Sequence, residues 1–359
     1  MPKALISATS FKDVIKEITR FKMSSALAGS ELIYMRIASV TGGKTRLQLY
    51  GGVSVVARTH CVARGSLDWI AVDSRAMGPY AERITEALTI SISAEEKLIR
   101  LRSGDHNLDL ALIEAPAEPP AKQKATLFGT VTEADTVSLR YLAKLVPDMQ
   151  TRPDLAAIAV SEGRGIASSQ RVVAVVKLEG FAGDGFIPAS LAQDLVTGDR
   201  LLQSSKSTDT ILMSGRAMYS MPLPTEITSF PLASIKEFLA AKTKLIATCD
   251  GSAFAYALTS CRDCLGFVSK IGAFIEISAK DGMLELFAQS GAARYATRID
   301  ADIKDTKAKL FTPVDDAADL APLCEGRELS LSRAANGQLY LSSDIMQVVV
   351  ASGQTSGEG

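Results

Sequence analysis

Apolar residues recur along this chain with two distinct periods. Phe11, Val14, Ile15 and Ile18 fall on one helical face within SFKDVIKEITRFK, which starts at Ser10. Val137, Tyr141, Leu142 and Leu145 do the same within ADTVSLRYLAKLV from Ala134. GSAFAYALTSCRDCLGFVS, from Gly251, reads as a third helix of this kind. Alternation with a period of two marks strands, as at Ile90 and Ile92 or Leu329 and Leu331. Continuous apolar runs, such as Leu155 to Val160 and Val172 to Val176, suit buried strands and are far too short to span a bilayer.

These patterns repeat. Segments 71–102 and 312–343 each give a short amphipathic helix behind an acidic or proline cap, then an alternating strand, a polar turn and a second alternating strand. Ile90 and Ile92 stand opposite Leu329 and Leu331 at an offset of 239, and Leu98 opposite Leu339 at 241. Half that offset locates a middle copy, helix then strand, at 186–214. Strand starts at Leu47, Ile166 and Leu284 are 119 and 118 apart. The Pro- and charge-rich stretch Glu114 to Lys124 reads as a first linker, and Ala240 to Lys244 as a second. The expected domains are 1–118, 124–243 and 244–353, with a small polar tail, 354–359, that frays. The fold class is α+β: three similar domains, each with two helices packed on antiparallel sheet.

Composition narrows the function. The 359 residues are 47% hydrophobic and 22% charged, which is a globular composition for more than one core. Net charge is −1, so any argument for nucleic acid rests on where charges sit. Five cysteines (Cys61, Cys249, Cys261, Cys264 and Cys324) do not make a disulfide scaffold, and MPKALISATSF lacks the long apolar stretch of a signal peptide; reduced thiols in the cytoplasm are expected. No membrane association is expected.

No catalytic constellation emerges. Two histidines, His60 and His106, have no nucleophile pattern beside them, and GGK at Gly42 lacks phosphate-loop spacing. Cys261-x-x-Cys264 could serve a thiol-redox enzyme or a metal, but small buried hydrophobes are the better reading, since no further ligands have metal-like spacing. Asp315, Asp316 and Asp319 sit in the first turn of an expected helix, where acids favour the macrodipole. No cofactor, no metal and no enzymatic activity are expected.

Three tandem copies in this length resemble the β subunit of bacterial DNA polymerase III, the sliding clamp, along nearly the whole chain. AVDSRAMGPYAERI resembles the second helix of the family's first domain, and SISAEEKLIRLRSGDHNLDLALI the hairpin and strand after it. IASSQRVVAVV resembles a strand-turn-strand usually close to VATDGHRLAV, with Ser168 for Thr, Gln170 for Gly, Arg171 for His and Val173 for Leu. Phe230-Pro231 stands where the family has FPDY. The chain end IMQVVVASGQ resembles YVVMPMRL through Val348 and Val349, and lacks the terminal Met-Pro-Met-Arg-Leu.

The resemblance implies a divergent clamp. Two chains pair head to tail, so each is half of a six-domain ring around double-stranded DNA; twelve helices line the hole and sheets form the wall. The implied function is processivity, tethering a DNA polymerase, with an ATP-driven clamp loader encoded elsewhere. A ring passing over phosphates needs a positive hole. The candidates are Lys12, Lys16, Arg20, Lys22, Arg75, Arg83, Arg140, Lys144 and Arg152; taken singly, each reads better as an ordinary solvated charge, and position in the repeat is what raises the DNA reading. The family binds short partner peptides in an apolar cleft between its second and third domains. The corresponding residues are Leu155, Val173, Pro231, Val348 and Val349, with Ser168, Gln170 and Arg171 as a polar rim. Without the usual C-terminus, the cleft is expected to be shallower. Cys264-Leu265 aligns with an apolar pair at the family's homodimer interface. Alternatives are a clamp-like scaffold or inhibitor that does not slide, and a thiol-redox enzyme using Cys261 and Cys264.

Overall fold

Helical periodicity at the start of the chain is realised as α1 (Ala8–Thr19), which buries Phe11, Val14, Ile15 and Ile18. The computed structural model describes residues 3–19, 32–40, 44–51, 55–64, 67–73, 75–93, 96–113, 124–169, 171–205, 207–215, 217–265, 273–290, 293–334 and 337–350. Around α1 come β1 (Lys3–Ile6), β2 (Leu32–Val40), β3 (Lys44–Gly51), β4 (Val55–Arg64) and β5 (Leu67–Asp73). Then follow α2 (Met77–Arg83), β6 (Leu88–Ser93), β7 (Leu98–Ser103) and β8 (His106–Ala111).

The same order of elements returns twice. The second pass is β9 (Ala125–Thr130), α3 (Glu133–Leu145), β10 (Ala157–Ser161), β11 (Arg164–Ser168), β12 (Val172–Lys177), β13 (Gly185–Pro188), α4 (Ala189–Asp194), β14 (Arg200–Ser204), β15 (Thr210–Ser214) and β16 (Ala217–Met221). A connecting helix, α5 (Leu232–Leu239), follows. The third pass is β17 (Thr243–Asp250), α6 (Gly251–Leu265), β18 (Phe274–Lys280), β19 (Met283–Ser290), β20 (Ala293–Ile303), β21 (Lys309–Pro313), α7 (Val314–Ala318), α8 (Ala321–Cys324), β22 (Glu328–Ala334), β23 (Leu339–Ser342) and β24 (Met346–Val350). Leu47, Ile166 and Leu284 lie in β3, β11 and β19, the same strand of each pass, and all three are buried. The last helical segment differs from the single acidic helix expected. It breaks into α7 and α8, with Pro322 in the first turn of α8, where its missing N–H costs nothing but an unbroken helix is barred.

The chain packs into two compact units, Met1–Leu127 with Gly198–Pro222, and Phe128–Thr197 with Leu223–Gly359. Among the described residues, the paired strands run antiparallel. In the first unit the strand order runs β8-β7-β6-β1-β4-β16-β15-β14, and β3, β2 and β5 continue from β4. Strands of the first and second passes join where Ala217 pairs Ala57 and Tyr219 pairs Val55. Buried Tyr219 anchors this seam: its hydroxyl donates to the Glu17 backbone carbonyl at 2.8 Å and meets the Glu17 carboxylate. In the second unit the order is β13-β10-β11-β12-β24-β23-β22-β17-β20-β19-β18-β21. Here the second and third passes join along Val172–Val350 to Val176–Met346. The units therefore follow sheet continuity and draw on the middle pass from both sides.

Asp135 fixes the start of α3. Thr132 and Asp135 form a reciprocal capping box, and the same carboxylate accepts from the Glu179 N–H at 2.7 Å and the Gly180 N–H at 3.1 Å. Gly180 is required by close approach, because a Cβ there would lie 1.8 Å from the Thr130 carbonyl oxygen.

Candidate functional site

In the second unit, the seam between β12 and β24 carries an apolar surface. Period-two alternation puts Val173, Val349 and Tyr340 in one cross-strand row, since Val173 pairs Val349 and Val349 pairs Tyr340. Beneath and beside the row lies a buried cluster with Leu155, Ile166, Val175, Ile227, Phe230, Ile235 and Leu239. Val173, Phe186 and Leu232 are partly buried against it and form its accessible floor. A 3-10 turn at Pro153–Leu155 delivers Leu155, with its N–H on the Arg152 carbonyl at 3.0 Å. Pro231 is partly buried at the start of α5, whose Ile235 and Leu239 face the cluster.

The two C-terminal valines are not equivalent. Val349 faces this cluster, whereas Val348 pairs Ala174 and Leu341 in the opposite row and is fully buried there. Adjacent strand residues point to opposite faces, so Val348 is core rather than cleft. Phe186, Leu232 and Tyr340 were not singled out from sequence. Only the strand register brings them to Val173 and Val349. The Phe186 and Phe230 rings lie 6.3 Å apart at 53°.

The β11–β12 turn carries the candidate polar residues Ser168 and Arg171. Ser169, another residue not singled out from sequence, holds it: its hydroxyl accepts from the Arg171 and Val172 N–H groups at 3.2 and 3.0 Å. Ser168 is buried and donates to the Ser169 carbonyl at 3.2 Å. Arg171 is exposed and comes 3.9 Å from Asp316. Gln170 lies outside the described residues.

The candidate basic positions divide. In the first unit, Lys16 and Arg83 are exposed on α1 and α2, and Lys12 donates to the Glu82 carbonyl at 3.2 Å. Arg75 precedes α2 and is held by Asp73, whose carboxyl it keeps below the ordinary range through that hydrogen bond. Arg20 and Lys22 lie outside the described residues. In the second unit, Arg140 and Lys144 are exposed one turn apart on α3. Lys144 lies 3.5 Å from Asp319, and Arg262 on α6 lies 3.5 Å from the same oxygen. The acids of the third pass thus neutralise basic groups of α3, α6 and the β11–β12 turn in place. Arg152 is on no helix: it precedes the turn that carries Leu155, and its guanidinium is bound to Asp154 at 2.8 and 2.9 Å. It belongs beside the apolar surface rather than with the helical cations.

Cys261 is fully buried, and desolvation pushes its thiol up to about 12, whereas Cys264 is exposed and Leu265 buried. Both cysteines sit in the C-terminal half of α6. Among the described residues no group of three or more His, Cys, Asp or Glu could hold a metal ion, and no helix is long and apolar enough to cross a membrane.

No protein-family model matches the sequence, and no curated protein matches it. Solved structures do match. A DNA polymerase sliding clamp from Caulobacter crescentus is 12% identical, with 98% of this chain and 100% of that one covered at a TM-score of 0.78. A ligand-bound DNA polymerase sliding clamp from Pseudomonas aeruginosa is 14% identical, with 99% and 100% covered at 0.78. The DNA polymerase III beta subunit of Thermotoga maritima is 10% identical, with 99% and 100% covered at 0.71. Matched end to end at such low identity, this chain has the fold of the DNA polymerase III beta sliding clamps.

Proposed function

We propose that the protein is a sliding clamp subunit that pairs head to tail with a second copy, encircles duplex DNA and tethers a polymerase without catalysing a reaction. One observation carries this reading, and it lies in the strand edges. The last strand of the second pass, β16, adds to β4, and the last strand of the third, β24, adds to β12. β20 is the third strand of this kind. It pairs β19 along one side, while β17 takes only Ala301 to Ile303 on the other, and among the described residues Ala293 to Ile299 have no strand there. β8 ends the first unit's sheet with one edge unpaired among the described residues. Among the described residues, a last strand without a partner and an acceptor strand without a last strand thus occur once each. Open edges of this sort are pairing templates. Joining β8 of one chain to β20 of another makes a heterologous contact that closes with two chains and six repeats. α6, with exposed Cys264 near its end, packs on β20 and supports an interface there.

On this reading the domains are 1–118, 124–243 and 244–353. Lys16, Arg83 and Arg140 supply positive charge to the hole, and Val173, Val349, Leu155 and Pro231 receive partner peptides from polymerase and loader. Light scattering at micromolar concentration tests the pairing. Twice the chain mass is expected; a strict monomer contradicts the ring. A clamp-like scaffold that does not slide is the second reading, motivated by the carboxylates of Asp316 and Asp319 that occupy basic groups.

A further inference from the structure

A second charged surface lies within the first unit, on the face of its β2, β3 and β5 strands opposite the buried one. β2 and β3 bury Ile33, Met35, Ile37, Leu47 and Leu49 on one face. The alternate positions carry Tyr34, Arg36, Arg46, Gln48 and Tyr50, all partly exposed. Tyr34 pairs Tyr50 across the strands, with ring centroids 5.6 Å apart at 53°. Next to them Arg36 pairs Gln48 and donates to its Oε1 from Nε and Nη2, at 3.2 and 2.8 Å. The Arg36 guanidinium lies 5.0 Å over the ring of Trp69 on β5, the single tryptophan of the chain and itself partly exposed. Neither Arg36 nor Arg46 forms an ion pair among the described residues, unlike Arg75, Lys144 or Arg152. Charge segregation reaches further along the sequence. From Leu32 to Arg64 there are five Lys or Arg residues (Arg36, Lys44, Arg46, Arg58 and Arg64) and no Asp or Glu, in a chain of net charge −1.

From this juxtaposition we infer that the Tyr34–Tyr50–Arg36–Trp69 sheet face is a binding site for single-stranded DNA. Among the described residues the one acid on this face, Asp73 at the end of β5, is taken up by Arg75. Two cations without carboxylate partners, on β2 and β3 strands that carry no acid, call for a polyanion. Exposed aromatic rings beside them add what only unpaired bases use, a stacking surface. Duplex DNA hides its bases in the stack, so the rings would be idle. A purely acidic peptide brings carboxylates but no aromatic rings to stack on them. Guanidinium stacking on the indole also holds Arg36 flat, which orders a charge at little further entropic cost. The site is independent of the ring proposed above, since it engages neither the helices nor the open edges of β8 and β20.

Trp69 makes the site its own reporter. Titrating the full chain with oligothymidylate is expected to quench its fluorescence saturably, and less so as salt rises. At about 0.7 of log–log salt slope per phosphate contact on single strands, Arg46→Gln should lower the slope by about 0.7. The Arg36→Gln/Arg46→Gln double variant should lower it by about 1.4, with an unchanged melting temperature. Arg46 does not touch Trp69 in any contact seen here, so its variant separates lost binding from a disturbed fluorophore. No quenching, or an unchanged slope in Arg46→Gln, overturns the inference. Equal quenching by poly-glutamate reassigns the face to acidic polypeptides, and equal quenching by duplex of the same length removes the role of base stacking; either result also overturns it. Retention of the protein on nicked circular duplex is not expected to change in these variants, so failure here and failure of the ring are separate results.

Discussion

Val348 and Val349 are adjacent and both buried, but they pack on opposite faces of the sheet. Val348 has no exposed surface, and an aspartate there would bury a carboxylate without a partner, at a cost of about several kcal/mol. Val348→Asp is therefore expected to unfold the protein rather than to report on partners. Val173→Asp changes the accessible floor instead. It should abolish binding of a clamp-binding peptide, read by fluorescence anisotropy, and leave the melting temperature within a few degrees. Undiminished binding in this variant would move the partner site elsewhere. The chain end alone does not separate the valines, because both are apolar and both match the resembling pattern. Register against Ala174 and Val173 separates them. Cysteine chemistry is decided at the same scale. With burial pushing Cys261 up to about 12, thiol titration of the native protein at pH 8 should modify Cys264 quickly and leave Cys261 unreacted until unfolding. Because its folded value is raised, thiolate at Cys261 appears only near pH 12. Fast modification of Cys261 near neutrality would revive the redox alternative.

Among the elements, α3, α6 and α7 share one electrostatic junction. Asp319 lies 3.5 Å from both Lys144 and Arg262, and all three side chains are more than a third exposed, so the pairs contribute little to folding. They do withhold two cations from any phosphate backbone. Asp319→Asn should strengthen retention on duplex DNA and raise the salt slope by up to about 1.8, at about 0.9 per released contact, with thermal stability nearly unchanged. A salt slope equal to the parent's would show that these helices do not face DNA. Periodicity located α1, α3 and α6 directly, because their apolar stripes are long. It did not reveal the break between α7 and α8, which depends on Pro322, nor the placement of Asp319 between two helices. Such contacts join residues 57 and 175 positions apart, a separation that no local pattern encodes.

At the scale of the molecule, the threefold recurrence was legible because each pass buries the same strand position, at Leu47, Ile166 and Leu284. How the strands continue from pass to pass was not, since β4 and β12 have no sequence mark for the strand each receives. That continuity is the basis of the proposed ring. A topological tether holds DNA without tight contact, so its release depends on whether the DNA has an end rather than on affinity. The most direct measurement loads the protein onto nicked circular duplex DNA with a cognate loader, isolates the complex, and then cuts the circle with a restriction enzyme. The account predicts that the protein stays on the circle through the isolation and leaves within minutes of linearisation, at a salt concentration where cutting changes nothing else. Equal retention on circular and linear DNA, or failure to remain on the circle at all once loaded, would contradict it.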